Sequence, residues 1–468
     1  MSFGSRAASR SASRSGSAGE LAAGAASLDG AASLDGAASL EGAVPADGGA
    51  PVDDRTMLDG RAPLDGGTGG DGRPIRVTTV ITRLEGGAGV LALRGIQALE
   101  PEQVTPTIVT GSGGPLLDEA RAAGIEVLVE PSLREVIAPR ADARAVGQLD
   151  AIFRRLGSEV VHTHCAKAGA VGRLAARRAG VPRVVHTYHG FPFHEFQSAA
   201  RRRAYIAIER RLGRFTDLAL CVGPAVAAEA ARRELVSPER IRTIGVAVDG
   251  PGRSRADMSA RMPQARRRAR VALGLPPDVP VVGSVGRLTY QKAPEDFVDA
   301  MARLGRPDAV GVWVGGGELA DRVRRRALDV AGPRIVLAGE RADVLDLLPA
   351  FDVFALPSRY EGLPTVIVEA MICGVPVVAT AVNAVHELVV PGETGLLVAP
   401  RRPAQLASAI RYLLDAPEQA GRMAAAARAR LGDQHSERAL RSALLSAYAP
   451  AARQVADHGM GLGRPVGG

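Results

Sequence analysis

The sequence predicts an α/β protein built as two doubly wound parallel-sheet domains behind a low-complexity N-terminal tail. Three observations predict this. Short apolar runs, among them Val310–Val314, Val353–Leu356 and Val375–Ala379, have the unbroken character of strands buried on both faces. Longer amphipathic stretches separate such runs and are entered through glycine or proline turns, which is the order of parallel crossover units. The chain has 468 residues, enough for two hydrophobic cores.

Residues 1–72 form the tail. Ser and Arg dominate as far as Ser17, and a six-residue repeat follows at Ala25–Gly30, Ala31–Gly36 and Ala37–Gly42, with one Leu in each copy. Such spacing cannot build a core, so the segment is expected to be disordered. The first domain, residues 73–248, opens on a strand at Ile75–Ile81, a glycine turn Gly86-Gly87-Ala88-Gly89 and a helix through Leu99. Further strands are expected at Val104–Val109, Ile125–Val129, Glu159–His162, Arg183–Thr187 and Leu218–Val222. Gly87, Gly89 and Ala92 also fit a dinucleotide fingerprint, which requires an acid at the end of the second strand. Thr110-Gly111-Ser112-Gly113 stands there instead, so that reading is discounted.

The fourth strand runs into His162-Thr163-His164-Cys165-Ala166-Lys167 and the fifth into His186-Thr187-Tyr188-His189-Gly190-Phe191, with His194 just beyond. No carboxylate or cysteine pair there has ligand spacing, so no metal is expected. Carboxyl ends of parallel strands face the ligand crevice, which directs His164, Lys167 and His189 to a cleft and leaves His162 and His186 as core imidazoles. Ser198–Phe215 is a helix bearing Arg201, Arg202, Arg203, Arg210, Arg211 and Arg214 between apolar residues. Its ordinary reading is a solvated outer face; the sharper one is a patch for anionic lipid headgroups.

The second domain, residues 249–433, follows an Arg-rich link. It begins with a strand at Val279–Val285 and the loop Gly286-Arg287-Leu288-Thr289-Tyr290-Gln291-Lys292. Lys167 and Lys292 are the only lysines among 58 basic residues, so each invites a reason for a compact charge rather than a planar fork. Strands at Val310–Val314 and Arg334–Leu337 follow, the latter leading to Gly339-Glu340-Arg341. The most informative stretch is Phe351–Thr380. It reads as a strand, a loop through Glu361-Gly362-Leu363-Pro364, a short helix over Thr365–Cys373 stopped by Gly374 and Pro376, and a second strand. Glu369 is the only charge between Gly362 and Glu387. An ionised carboxylate in so apolar a helix is costly without partners, and no basic residue stands one turn away. Hydroxyls of a ligand would satisfy it. Glu361 edges the same crevice, and the N–H groups of the helix start at Leu363 and Thr365 favour an anion there. Helices from Pro403 to Ala449 close the fold, with residues 434–468 set apart as a last helix and tail.

The chain carries 58 basic and 50 acidic residues, net +8; residues 1–72 hold 5 Arg and 10 acids, which leaves +13 on the rest. A basic body suits phosphorylated ligands or an anionic membrane surface. Nucleic acid is not expected as a partner, because aromatics make up only 3% and no stacking platform is visible. Cys165, Cys221 and Cys373 lie far apart in apolar contexts and read as reduced core residues. No apolar run reaches membrane-spanning length and no signal-peptide segment is visible, so the expected location is cytoplasmic, peripheral at the inner membrane face.

Pro357-Ser358, Glu361-Gly362-Leu363-Pro364, Glu369-Ala370-Met371, Gly374 and Pro376-Val377-Val378, at their spacing, resemble the donor-site signature of retaining glycosyltransferases of glycosyltransferase family four, the group 1 glycosyltransferases. The resemblance covers about residues 75–450. It implies the GT-B fold, two Rossmann-like domains facing a cleft, the first on the acceptor side and the second holding a nucleotide-sugar. It further implies that Arg287 and Lys292 grip the donor diphosphate, where fixed cations offset the charge of the departing nucleoside diphosphate without a metal. By the same resemblance Glu369 accepts from ribose hydroxyls, Glu361 accepts from donor-sugar hydroxyls, and His189 lies beside the donor sugar. Gly86 and Gly87 approach the phosphates, Arg341 lies against the base, and the last helix crosses back to the first domain. His164 and Lys167 are candidate acceptor or phosphate contacts. The chain departs from the family at the domain crossing, where Val246-Ala247 replaces an Asn-Gly pair. The implied activity is retaining, metal-independent and cofactor-free transfer of a sugar to a carbohydrate or lipid-linked acceptor, in polysaccharide or glycolipid synthesis. Carboxylates assigned to different parts of the donor favour same-face attack over double displacement. A sugar-nucleotide epimerase of the same fold and a non-catalytic sugar-nucleotide binder are the alternatives.

Overall fold

The apolar runs assemble into two all-parallel sheets. This computed structural model describes residues 73–193, 197–247, 262–330, 334–432 and 435–449, all within one compact unit. The N-terminal tail, His194, the link over residues 248–261 and the segment beyond residue 449 lie outside the described residues.

The first sheet holds β1 (Ile75–Leu84), β2 (Val104–Gly113), β3 (Glu126–Val129), β4 (Val160–His164), β5 (Arg183–Tyr188), β6 (Leu218–Cys221) and β7 (Ile241–Thr243), in spatial order 3-2-1-4-5-6-7. Its helices are α1 (Gly86–Gln97), α2 (Pro115–Ala122), α3 (Pro139–Leu156), α4 (Ala166–Ala179), α5 (Ala199–Gly213) and α6 (Pro224–Arg232). After α7 (Met262–Ala272), the second sheet holds β8 (Val281–Val285), β9 (Val310–Val314), β10 (Arg334–Gly339), β11 (Val353–Leu356), β12 (Val377–Thr380) and β13 (Leu396–Val398), in order 10-9-8-11-12-13. Its helices are α8 (Pro294–Ala302), α9 (Ala320–Asp329), α10 (Val344–Leu347), α11 (Thr365–Ile372), α12 (Val385–Leu388), α13 (Pro403–Asp415), α14 (Pro417–Arg430) and α15 (Glu437–Tyr448).

Strand order reverses between β1 and β4 in one sheet and between β8 and β11 in the other. Crevices open at the carboxyl ends of strands at such points. Local chemistry holds the edges in place. Gly157 and Gly180 close α3 and α4 in the left-handed conformation, at φ 57° and 72°. In the second sheet Trp313, wholly buried against Phe297, donates Nε1–H to the Gly286 carbonyl at 2.8 Å and so fixes the start of the β8 loop.

Three expectations need correction. The second strand does not stop at Val109: Gly113 still pairs with Leu84, so the glycine-serine run that resembles a turn is held extended by its ladder. The fourth strand ends at His164. Cys165 then caps α4, which places Lys167 in the first turn of a helix rather than on a strand end. Pro364 precedes α11 instead of opening it.

The last helix does cross back. In α15, Leu440 and Leu444 pack against Gly95 of α1, the Arg183 guanidinium donates to the Ala447 carbonyl at 2.9 Å, and Tyr448 reaches His162. Just before it, His435 Nδ1 accepts from the Val246 amide at 3.1 Å, which pins the domain crossing.

Candidate active site

The two switch points face each other, and backbone makes the closest approach. A Cβ on Gly362 would lie 1.8 Å from the His189 carbonyl oxygen, so only glycine lets the Glu-Gly turn after β11 rest on the His-Gly turn after β5. A Cβ on Gly87 would stand 3.1 Å from the Thr365 hydroxyl, which sets the β1–α1 turn, with Gly86 at φ 62°, against the start of α11. Gly87, His189, Glu361 and Thr365, distant in sequence, therefore share one cleft.

The charges on the second-sheet side form a network. Lys292 Nζ is 2.6 Å from Glu361 Oε1, and the Ser358 hydroxyl donates to the same oxygen at 2.5 Å. Gln291 donates to Glu361 Oε2 at 3.3 Å, and the Glu361 amide donates to Asn383 Oδ1 at 3.1 Å. The separate roles expected for Lys292 and Glu361 are thus joined in one ion pair, both partners being largely buried. Arg287 points into solvent, makes no side-chain hydrogen bond to any described residue, and acts electrostatically on Cys165 across the cleft.

Glu369 sits among the buried Val366, Ile367, Val368, Ala370 and Met371. Among the described residues its side chain has no hydrogen bond or ion pair. Burial pushes its carboxyl up to about 7; the charges that pull it back are Arg94, on α1 of the opposite domain, and Lys292. It therefore faces the cleft. Leu363 and Thr365 flank Pro364 at the entry to α11, where helix amides lack intrahelical acceptors.

The histidines divide into two sets. His162 is satisfied at both nitrogens, by Tyr448 at 2.8 Å and Thr187 at 2.7 Å, and burial lowers it to about 3. His186 bonds Thr163 at 2.8 Å through Nδ1, while its Nε2 is buried without a partner. Both are core groups, as expected. His164 Nδ1 and His189 Nε2 lie 2.9 Å apart, and burial lowers His189 to about 4 and His164 well below its ordinary value. All four rings are neutral at pH 7. Cys165 sits at φ 64°, ψ 165°, a region rarely used by residues other than glycine, and burial raises its thiol to about 12.

Two predicted residues are not brought to this cluster. Lys167 pairs with Asp142 at 2.5 Å and donates to the Val136 carbonyl at 3.2 Å, so its charge is already matched within the first domain. Arg341 forms a two-pronged pair with Asp343, at 2.8 and 2.6 Å. Sequence reasoning missed Arg94, Gln291, Ser358 and Asn383, and it missed the partner of Glu387, which accepts from the Ala225 amide at the start of α6 and so bridges the domains. Gln291, Ser358 and Asn383 reach Glu361 from three loops of its own sheet, and Arg94 and Ala225 come from the other domain; spacing along the chain carries no signal for either kind of partner. Among the described residues no cluster of three or more His, Cys, Asp and Glu side chains is arranged to hold a metal ion.

Residues 265–430 match the family model described as glycosyl transferases group 1, and residues 85–249 match that of glycosyltransferase family 4. A curated relative, the UDP-Gal:alpha-D-GlcNAc-diphosphoundecaprenol alpha-1,3-galactosyltransferase of Escherichia coli, is 30% identical over 318 residues, covering 66% of this chain and 79% of that protein. The D-inositol 3-phosphate glycosyltransferase of Mycobacterium tuberculosis is 31% identical over 385 residues, 76% of each chain. Among solved structures, Anabaena HepE in complex with UDP-glucose aligns with a TM-score of 0.66 at 22% identity, covering 80% of this chain and 98% of that one. WaaG, a glycosyltransferase of lipopolysaccharide biosynthesis, aligns with a TM-score of 0.61 at 17% identity, covering 79% and 99%. The chain is a glycosyltransferase of the GT-B fold and belongs to the group 1 glycosyltransferases, family four.

Proposed function

We propose that this enzyme moves a sugar from a nucleotide-diphospho-sugar to a hydroxyl of a lipid-linked acceptor, with retention and without a metal. One observation carries the reading: Glu369, in an apolar helix and facing the cleft, has no side-chain hydrogen bond among the described residues to stabilise its charge. Two ribose hydroxyls donating to it would supply what is missing and draw its pKa back down.

The rest of the second switch point suits a diphosphate. Lys292 has three N–H donors, so it can hold Glu361 and still reach phosphate oxygens. Arg287 offers a fork that no described residue engages, and the start of α11 offers backbone amides. Together they place positive charge where the leaving group gains negative charge, which is the support for metal independence. Glu361 has about four acceptor sites and spends three on Lys292, Ser358 and Gln291, leaving one for a donor-sugar hydroxyl. Neutral His189, fixed by His164, lies against the same turn and orients sugar or acceptor. In same-face attack the bond from the anomeric carbon to the diphosphate oxygen breaks. The acceptor oxygen bonds to that carbon on the same face, and its proton passes to the leaving diphosphate.

The name of the Escherichia coli relative supports a lipid-linked acceptor and a UDP-sugar as the first donor to test. No helix among the described residues is long and apolar enough to cross a membrane. Arg203, Arg210, Arg211, Arg214 and Arg233 line an open depression of about 560 Å³ on α5 and α6, which suits peripheral contact with an anionic inner-membrane surface. The test is to incubate UDP-, GDP- and ADP-sugars with a polyprenyl-diphosphate-linked sugar and read the product anomer by NMR. Transfer with retained configuration, unaffected by EDTA, is expected. An inverted product, or activity lost to EDTA and restored by Mg²⁺, would contradict the reading.

A further inference from the structure

His162 and His164 stand two residues apart on β4, so both rings lie on one face of the sheet. Thr163 between them turns to the other face and bonds His186 at 2.8 Å. Helices α1 and α15 close over the first face. His162, His164 and Tyr448 line the cavity of about 10 Å³ left beneath them, room for one water and none for a ring to swing aside. From there contacts run in a line to the cleft. The Tyr448 hydroxyl is 2.8 Å from His162 Nδ1, and His162 Nε2 is 2.7 Å from the Thr187 hydroxyl. The His162 ring packs on that of His164, with centroids 4.2 Å apart. His164 Nδ1 is 2.9 Å from His189 Nε2, and His189 Nδ1 has no hydrogen bond to any described residue. His189 stands on the turn whose carbonyl meets Gly362 of the second domain.

A neutral imidazole has one N–H and one lone pair, so the two nitrogens shared by His164 and His189 hold one proton between them. If His164 carries it on Nδ1, His189 accepts at Nε2 and keeps its own proton on Nδ1. If His189 carries it on Nε2, His164 accepts at Nδ1 and is protonated at Nε2. Either way the two rings are protonated at the same-named nitrogen. The state of His164 thus decides whether the remaining nitrogen of His189 is a donor or an acceptor. We propose that His164 is a positioning residue that fixes the tautomer of His189, and that Tyr448, acting through His162, fixes His164 from the helix that crosses between the domains. The inference rests on the role given to His189 above and deepens it. A neutral imidazole orients a hydroxyl only when the nitrogen facing it plays the complementary part, so a mixture of tautomers would leave some molecules with the wrong pairing.

The full-length chain with ¹⁵N-labelled histidine is read by long-range proton–nitrogen NMR near pH 7, where each neutral tautomer has its own pattern of ring-nitrogen shifts. A single tautomer is expected for His189, with the same-named nitrogen protonated in His164. His164→Leu should give His189 a mixed pattern. In transfer from a UDP-sugar to a polyprenyl-diphosphate-linked sugar it should lower kcat about thirtyfold and leave the donor KM unchanged. His164→Asn, whose amide puts a donor or an acceptor where Nδ1 stood, should recover most of that loss. Tyr448→Phe keeps the ring and its edge-on contact with His162, centroids 5.6 Å apart, and removes only the hydroxyl. It should lower kcat about threefold. Combined with His189→Ala, neither His164→Leu nor Tyr448→Phe should lower kcat further, because both act through that ring. Opposite tautomers in native His164 and His189, an unchanged His189 pattern in His164→Leu, or losses that add in full to that of His189→Ala would overturn the inference. An altered His189 pattern with unchanged transfer would keep the tautomer control and discard the role of His189, so the two failures are distinguishable.

Discussion

The two switch points share a topology and differ in electrostatics. The first, at β1, β4 and the end of β5, offers glycine turns and imidazoles held neutral by burial, His162 near 3 and His189 near 4. Its deep polar groups mostly satisfy one another: His162 with Tyr448 and Thr187, His164 with His189. The second, at β8 and β11, holds an ion pair, together with an arginine and a carboxylate whose side chains have no hydrogen-bond partner among the described residues. The difference teaches where the charged ligand belongs. A crevice lined by neutral imidazoles suits a neutral hydroxyl, and one with a charge left in deficit suits a diphosphate and a ribose.

That contrast can be broken at either end. Lys292→Ala should give the largest loss, about a thousandfold in kcat/KM with the donor varied, because it removes a diphosphate cation and leaves Glu361 buried without its partner. His189→Ala should cost about a hundredfold in kcat, read in the same assay. A larger loss from the histidine would mean the neutral side dominates catalysis.

Glu369→Gln should separate function from stability. The folded-state pKa is raised, from 4.5 to about 7, so ionisation opposes folding. The penalty grows as pH rises above the unfolded value and is complete above the folded one. Removing the charge should therefore stabilise the fold by about 3 kcal/mol at pH 8 and much less at pH 5, read as melting temperature. Donor affinity should fall at the same time. In the native enzyme the donor KM should rise as pH falls below about 7, because the protonated acid accepts fewer hydrogen bonds. The smallest effect is expected from Glu387→Ala, about 1 kcal/mol through the lost cap on α6, with no change in the pH profile.

Both sheets were legible in the sequence because strands buried on two faces leave unbroken apolar runs and their crossover helices leave caps. Glu369 was legible as a single charge in an oily helix. Lys292 and Arg287 were legible as cations after a first strand, but the pairing of Lys292 with Glu361, across 69 residues, was not. Nor was the reach of Arg94 toward Glu369 or of Glu387 to Ala225, since each joins residues from opposite domains. Lys167 shows where composition misleads. Its rarity suggested chemistry, and its partner is Asp142, a structural contact between α3 and α4.

Calorimetry of donor binding near pH 7, repeated in buffers of different ionisation enthalpy, tests the central claim most directly. If ribose hydroxyls complete the coordination of Glu369, binding lowers its pKa and releases a fraction of a proton, so the observed enthalpy depends on the buffer. That dependence should disappear in Glu369→Gln. A buffer-independent enthalpy in the native enzyme, with equal donor affinity in the variant, would contradict the account.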